Sequence, residues 1–268
     1  MIYLGDCLEI MKDIPDESIN LTLTDLPYGT TWASFDGVLK NMGKYTKKSI
    51  IDLELLWESY SRILKKNGVV VLFGAQPFTT ALISSNLEWY KYSWVWEKNK
   101  AANHVAIKYQ PLKIHEDILV FSPCGCNTGA SNPITYNPQG VIWKNEIKNR
   151  KSSIKKEGTF KYNSLKEGSF EIKGTGYPTS ILKFDIPYKD RVHPTQKPVD
   201  LCEYLIKTYS NEGDVVLDNC MGSGTTGVAC KNTNRQFIGI EKNSDYFNIA
   251  SALIKNSRAT QTNVNIRL

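Results

Sequence analysis

No run in this sequence approaches the roughly twenty apolar residues needed to cross a bilayer, which excludes a helical membrane protein. A secretory leader is missing as well: Met1-Ile2-Tyr3-Leu4 passes straight into Gly5-Asp6, with no basic-then-apolar opening. A disulfide framework is absent, because Cys7, Cys124, Cys126, Cys202, Cys220 and Cys230 are scattered and largely embedded in apolar patterns. Such spacing suits reduced thiols in a cytoplasm, where the chain is expected to reside. Only Cys124 and Cys126 stand close together, with His115 upstream, and no second pair completes a set of about four metal ligands. No metal is therefore expected, and His115 reads as a hydrogen-bonded structural residue.

What is present is enough chain, 268 residues, for one large α/β domain with or without an insert. The net charge of +6 permits an anionic partner without demanding one. Its distribution says more. From Lys144 to Lys173 nine Lys/Arg accompany four Asp/Glu, so this stretch carries +5. A basic insert on a nearly neutral body is the footprint of nucleic-acid binding. The same composition also suits a solvated surface loop.

The apolar run Ile19 to Leu23 reads as a buried strand that opens, after Thr24, into Asp25-Leu26-Pro27-Tyr28-Gly29. Ligands of open α/β sheets bind at that carboxyl end. Taken alone, Asp, Pro and Gly there are ordinary turn residues. Far downstream, Val215-Val216-Leu217-Asp218-Asn219-Cys220-Met221-Gly222-Ser223-Gly224 reads as a strand and a glycine turn into a helix reaching Lys231. Glycines there let backbone approach a ligand. A further strand, Gln236 to Ile240, ends in Glu241, an acid placed for ribose hydroxyls.

Between these stretches, Leu53, Leu56, Trp57, Tyr60, Ile63 and Leu64 repeat at helical spacing, and Asn67-Gly68 reads as a left-handed helix end. Val69 to Phe73 marks a strand covered on both faces, Pro77 to Ser85 a helix, and Tyr92–Trp96 and Ile118–Phe121 two further strands. From Pro123 to about Asp190 the rhythm fails, and an irregular, functional loop is expected. Helices are expected again through Tyr209 and from Tyr246 to Ile254.

Asp25-Leu26-Pro27-Tyr28 together with Asp218-Asn219-Cys220-Met221-Gly222-Ser223-Gly224 resembles the motif pair of the DNA amino-methyltransferases, D/N/S-P-P-Y and D-x-F-x-G-x-G. The catalytic motif comes first, the circularly permuted order of the family's β class. The closest resemblance is to solitary, phage-like adenine methylases, and no nuclease motif accompanies it. The resemblance implies an α/β fold with a doubly wound, mostly parallel sheet, S-adenosylmethionine as cofactor and double-stranded DNA as partner. It also implies a homodimer as one possible assembly and no membrane partner.

Residue by residue, the resemblance implies a catalytic half at 1–122, a target-recognition insert at 123–190 and a cofactor half at 191–268. Asp25 and the Leu26 carbonyl would accept from the amine of a target base taken out of the duplex. Pro27 would hold Leu26 extended, and Tyr28 would stack on the base. Asp6 would meet the cofactor's adenine, or merely cap a short helix. His193-Pro194-Thr195-Gln196-Lys197-Pro198 resembles the family's H-P-T-Q-K-P element, so Lys197 and the helix start at Pro198 would suit a methionine carboxylate. Asp218 would pair with the methionine ammonium, while Cys220, Gly222, Ser223, Gly224 and Thr225 would wrap the cofactor and Glu241 its ribose. Lys44, Lys47 and Lys48 beside the catalytic motif, and Arg150, Lys151, Lys155 and Lys156 in the insert, would contact DNA phosphates.

Aspartate at position 25 favours adenine N6 as the target, with cytosine N4 as the alternative. A catalytically silent DNA-binding regulator of the same fold is a further alternative. A dinucleotide-binding dehydrogenase would also use the glycine turn, but it leaves Asp25 to Tyr28 unexplained, and Asp218 would face a pyrophosphate.

Overall fold

The structure, a computed structural model, describes residues 1–28, 51–150, 168–186 and 196–257. The described residues fall into two compact units, one within Met1–Asn137 and Ser180–Asn265, the other within Pro138–Thr179. The second is narrower than the insert expected from 123 to 190.

In the first unit the chain runs β1 (Ile2–Leu4), α1 (Cys7–Ile10), β2 (Ile19–Thr24), α2 (Leu53–Ile63), β3 (Leu64–Gly74) and α3 (Phe78–Ser85). It continues with β4 (Tyr90–Ala102) and β5 (Lys113–Phe121). The second unit holds β6 (Ile142–Arg150) and β7 (Gly168–Thr175). The first unit resumes with β8 (Ile181–Lys183), α4 (Val199–Tyr209), β9 (Val215–Asp218), α5 (Thr225–Asn232), β10 (Gln236–Glu241) and α6 (Ser244–Asn256).

Eight strands form one sheet in the order β1-β10-β9-β2-β3-β5-β4-β8. The five strands from β1 to β3 are mutually parallel, β5 runs antiparallel to β3 and β4, and β8 is parallel to β4. This is the mostly parallel α/β sheet expected. Its continuous apolar runs follow from burial on both faces. On one face Leu21, Leu23, Val69, Val71 and Phe73 pack with Leu201, Leu205 and Tyr209 of α4. On the other, Val70 and Leu72 pack with Leu56, Tyr60 and Ile63 of α2 and Phe78 and Leu82 of α3, joined by Ile19, which a register shift before Leu21 turns to this face. Successive side chains of a strand point to opposite faces, so each run serves two cores.

Two expectations are corrected. Helix α2 ends at Ile63 rather than at Asn67-Gly68, because Leu64 already pairs with Ile19 of β2 and begins β3. The expected irregular loop contains an antiparallel hairpin, with Ile142 opposite Thr175 and Arg150 opposite Gly168. Its apolar side chains Ile142, Trp143 and Ile147 are exposed, so they do not give the alternation that would have announced β6. Strands β4 and β5 also run longer than expected, so His115 and Glu116 lie inside β5 rather than before it. Among the described residues no helix is long and apolar enough to cross a membrane.

Candidate active site

Strands β2 and β9 lie side by side, with Leu21 opposite Val216 and Thr22 opposite Leu217. Neighbouring strands stand about 4.8 Å apart. Asp25 and Asp218, at the carboxyl ends of these two strands, therefore leave the sheet at the same edge. Both line one cavity of about 460 Å³, a volume within the range of small-molecule sites. Leu26, Pro27 and Tyr28 line it from the catalytic side, Cys220, Gly222, Ser223 and Thr225 from the other, and Asp6 and Glu241 from β1 and β10. This is the crevice that a sheet opens where its strand order reverses.

Both oxygens of Asp25 are engaged. The Tyr28 hydroxyl donates to Oδ1 at 2.8 Å, and the Lys197 ammonium donates to Oδ2 at 2.5 Å. The Tyr28 ring stacks on Phe78, with centroids 5.0 Å apart. Burial pushes the Asp25 carboxyl above its ordinary value, Lys197 pulls it back, and Glu116 adds to the push. Lys197 stands between two carboxylates, since Glu116 Oε2 lies 3.3 Å from its Nζ. Glu116 Oε1 in turn accepts from the ammonium of Lys98. Burial disfavours charge on Glu116, yet Lys197 and Lys98 outweigh it and hold its carboxyl below the usual range.

On the opposite wall the Asp218 carboxyl is buried and pushed up to about 6, with the Thr226 hydroxyl and the Cys220 amide opposing the shift. Gly222 has φ 50°, and a Cβ there would meet nothing within 4 Å, so its backbone borders open space. Glu241 Oε2 accepts from the Gly222 amide at 2.9 Å and Oε1 from the Asn243 amide at 2.8 Å, which holds the glycine turn against β10. Asp6 caps α1 by accepting from the Leu8 amide and also pairs with Lys242 at 3.0 Å. Its capping role is thus real, and its place on the cavity wall is compatible with the expected adenine contact. A ligand bearing an ammonium group and a ribose would meet Asp218 and Glu241.

Three of the residues expected at the cofactor have partners or packing of their own. Lys197 lines the cavity, with its ammonium paired to Asp25 and Glu116. Pro198 is buried as the N-cap of α4 and is not part of the cavity wall. Gly224 is a packing glycine: at φ 81° a Cβ would stand 2.9 Å from Ala250 Cβ, against α6. Lys44, Lys47, Lys48, Lys151, Lys155 and Lys156 lie outside the described residues, as do His193, Pro194 and Thr195. Arg150 ends β6, and only its backbone is described. Glu116 and Lys98 were not singled out as site residues in the sequence. The one local sign was an acid at the head of the strand run Ile118 to Phe121, beside the more conspicuous His115. Among the described residues no group of three or more His, Cys, Asp or Glu is placed to hold a metal ion.

Comparison with known proteins agrees with this geometry. A family model described as DNA methylase matches residues 19–252. The type II methyltransferase M.HpaI of Haemophilus parainfluenzae is 30% identical over 259 residues, covering 93% of this chain and 72% of that protein. The DNA adenine methyltransferase YhdJ of Escherichia coli (strain K12) is 30% identical over 259 residues, covering 91% and 79%. A crystal structure of the M1.HpyAVI–SAM complex superposes with a TM-score of 0.57 at 25% identity, covering 94% of this chain and 98% of that one.

Proposed function

This chain belongs to the N6/N4 DNA methylase family, and on that premise we propose how its residues methylate DNA. It is an S-adenosylmethionine-dependent DNA methyltransferase that acts on the N6 amine of adenine. The residues of the cavity fit that cofactor. Asp218 offers a buried carboxylate to the methionine ammonium, Glu241 faces the ribose, and the open backbone at Gly222 leaves room for close approach. Bound there, S-adenosylmethionine supplies an electrophilic methyl group on a positively charged sulfur.

The chain's own task is to make a poor nucleophile reactive. The lone pair of the adenine amine is delocalised into the ring. Asp25 and the Leu26 carbonyl accept from its two N–H groups, which draws the nitrogen toward tetrahedral geometry and frees the pair. A carboxylate has about four lone-pair sites, so Asp25 can accept a further bond beside those from Tyr28 and Lys197. The amine surrenders one proton for the methyl it gains, and Asp25 is the anionic acceptor beside it. Phe78 stacks on the Tyr28 ring, and Tyr28 stacks on the base after it has left the duplex. Beyond alignment and electrostatics no covalent enzyme intermediate is required.

The observation that carries this assignment of roles is that Asp25 and Gly222 line the same cavity although remote in sequence. The test is labelled methyl transfer to unmethylated DNA, followed by nucleoside analysis of the product. Label in N6-methyladenosine, lost in Asp25→Ala, is expected. Label in N4-methylcytosine, or undiminished transfer by Asp25→Ala, overturns it.

A further inference from the structure

Four charged side chains alternate in sign in a row that ends at the cavity: Lys98 on β4, Glu116 on β5, Lys197 just before α4, and Asp25 after β2. Their elements are brought together by the sheet order, since β3 and β5 separate β2 from β4. The links are Lys98 to Glu116 Oε1, Glu116 Oε2 to Lys197 at 3.3 Å, and Lys197 to Asp25 Oδ2 at 2.5 Å. Aromatic rings floor both cations, with Lys98 Nζ 4.8 Å from the Trp96 ring centroid and Lys197 Nζ 5.0 Å from that of Phe73. Glu116 Oε2 is fully buried and has no hydrogen-bond partner, so the Lys197 charge is what compensates it.

Buried charges survive when paired, and removing one partner leaves the other exposed to the full desolvation cost. A surface-type ion pair would not need this arrangement. Here the last member is the acid proposed to accept from the amine, Lys197 lines the cavity beside it, and Lys98 and Glu116 are not part of the cavity wall. We propose that Lys197 and Glu116 are positioning residues of the methyl transfer: Lys197 keeps Asp25 ionised and aimed, and Glu116 holds Lys197 against it. This rests on Asp25 being the amine acceptor. It assigns Lys197 to the base side of the reaction, away from the cofactor's carboxylate.

The consequence concerns the protonation of Asp25. Burial favours its neutral form, and a protonated carboxyl cannot accept through the oxygen that carries the proton. Without Lys197 the carboxyl takes up a proton more readily, and activity must return as pH rises and removes it. Among the described residues the titratable groups around Asp25 and Lys197 are Tyr28 from its own loop, Lys98 and Glu116 from β4 and β5, Asp218 from β9 and Cys202 from α4. Asp218 titrates near 6, and burial pushes the Cys202 thiol well up, so neither accounts for a recovery above pH 7.

The experiment measures single-turnover methylation at saturating S-adenosylmethionine and DNA from about pH 7 to 9, with cofactor affinity measured separately. Lys197→Met is expected to slow transfer about a hundredfold at pH 7, to recover toward tenfold per pH unit, and to bind cofactor within a few-fold of the parent. Lys197→Arg keeps the charge and should retain the parent's flat profile, even at a lower rate. Glu116→Gln should slow the parent about tenfold and add nothing to Lys197→Met, since it acts through that lysine. If Lys197→Met does not fold, Glu116→Gln in the parent decides: a slower saturated rate with cofactor affinity within a few-fold of the parent supports the proposal, and an unchanged rate overturns it. Weakened cofactor binding with an unchanged saturated rate, a loss uniform across pH, or additive effects of the two substitutions would each sink it. A product methylated on cytosine, or an active Asp25→Ala, would instead bring down the reaction assignment.

Discussion

The buried Tyr60 hydroxyl donates to Asn219 Oδ1 at 2.7 Å, joining helix α2 to the turn after β9 across 159 positions of chain. Both side chains are almost inaccessible to solvent, so neither can replace its partner with bulk water. The catalytic half thereby braces the turn that carries Cys220 and Gly222. Tyr60→Phe leaves the Asn219 acceptor unsatisfied and is expected to cost about 1–3 kcal/mol of stability. Denaturant unfolding measures that loss, and calorimetric titration should show weaker cofactor binding in the same variant.

Asp25→Asn keeps the shape of the side chain and removes its charge. The Lys197 ion pair is lost with it, as is the anionic acceptor for the amine. Single-turnover transfer should fall about a hundredfold or more, while cofactor affinity stays within a few-fold of the parent. A variant that loses cofactor affinity instead would place Asp25 in the binding of the donor.

Cofactor affinity should depend on pH through Asp218. Its carboxyl, pushed up to about 6 by burial, must be ionised to pair with an ammonium group. Above about 6 the pairing is available, and as pH falls through that value the carboxyl takes up a proton and affinity drops. The slope approaches tenfold per pH unit. Titration of the parent and of Asp218→Asn between about pH 5 and 8 checks this, the variant binding weakly with the slope abolished.

Gly222 and Gly224 should respond differently to alanine. At Gly222 the added Cβ meets open space, so the cost to folding is the strain of its positive φ, about 1–2 kcal/mol. Cofactor affinity should suffer more, because that space belongs to the cavity wall. At Gly224 the Cβ would stand 2.9 Å from Ala250 Cβ and 3.1 Å from Ala250 Cα. Helix α6 must move, adding about 1–3 kcal/mol of overpacking to the φ strain. Thermal melts set beside cofactor titrations separate the two.

Much of the central sheet was legible along the chain because its strands are covered on both faces. Val69 to Phe73 and Val215 to Leu217 are apolar throughout, Ile19, Leu21 and Leu23 are apolar around Asn20 and Thr22, and such runs bounded by Asp, Gly and Pro announce themselves. The cavity's two walls were legible for a related reason: Asp25 and Asp218 each follow a run of that kind, and strand ends are where such sheets bind ligands. The hairpin of β6 and β7 was not, since Ile142, Trp143 and Ile147 of β6 are all exposed and give no alternating pattern. The end of α2 was misjudged because Asn67-Gly68 is a strong local stop signal, whereas the pairing of Leu64 with Ile19 is remote and prevailed.

Local composition thus settled most strands of the central sheet, and the two motifs taken together pointed to a methyl donor rather than a dinucleotide. It could not settle the partner of Lys197, which stands 172 positions from Asp25 and was read as a cofactor contact. A lysine's partner depends on which strand ends adjoin and on how much water remains between them. Both follow from the assembled order of β2, β3, β5 and β4 around Phe73, and with them the burial that turns four ordinary charges into one coupled row.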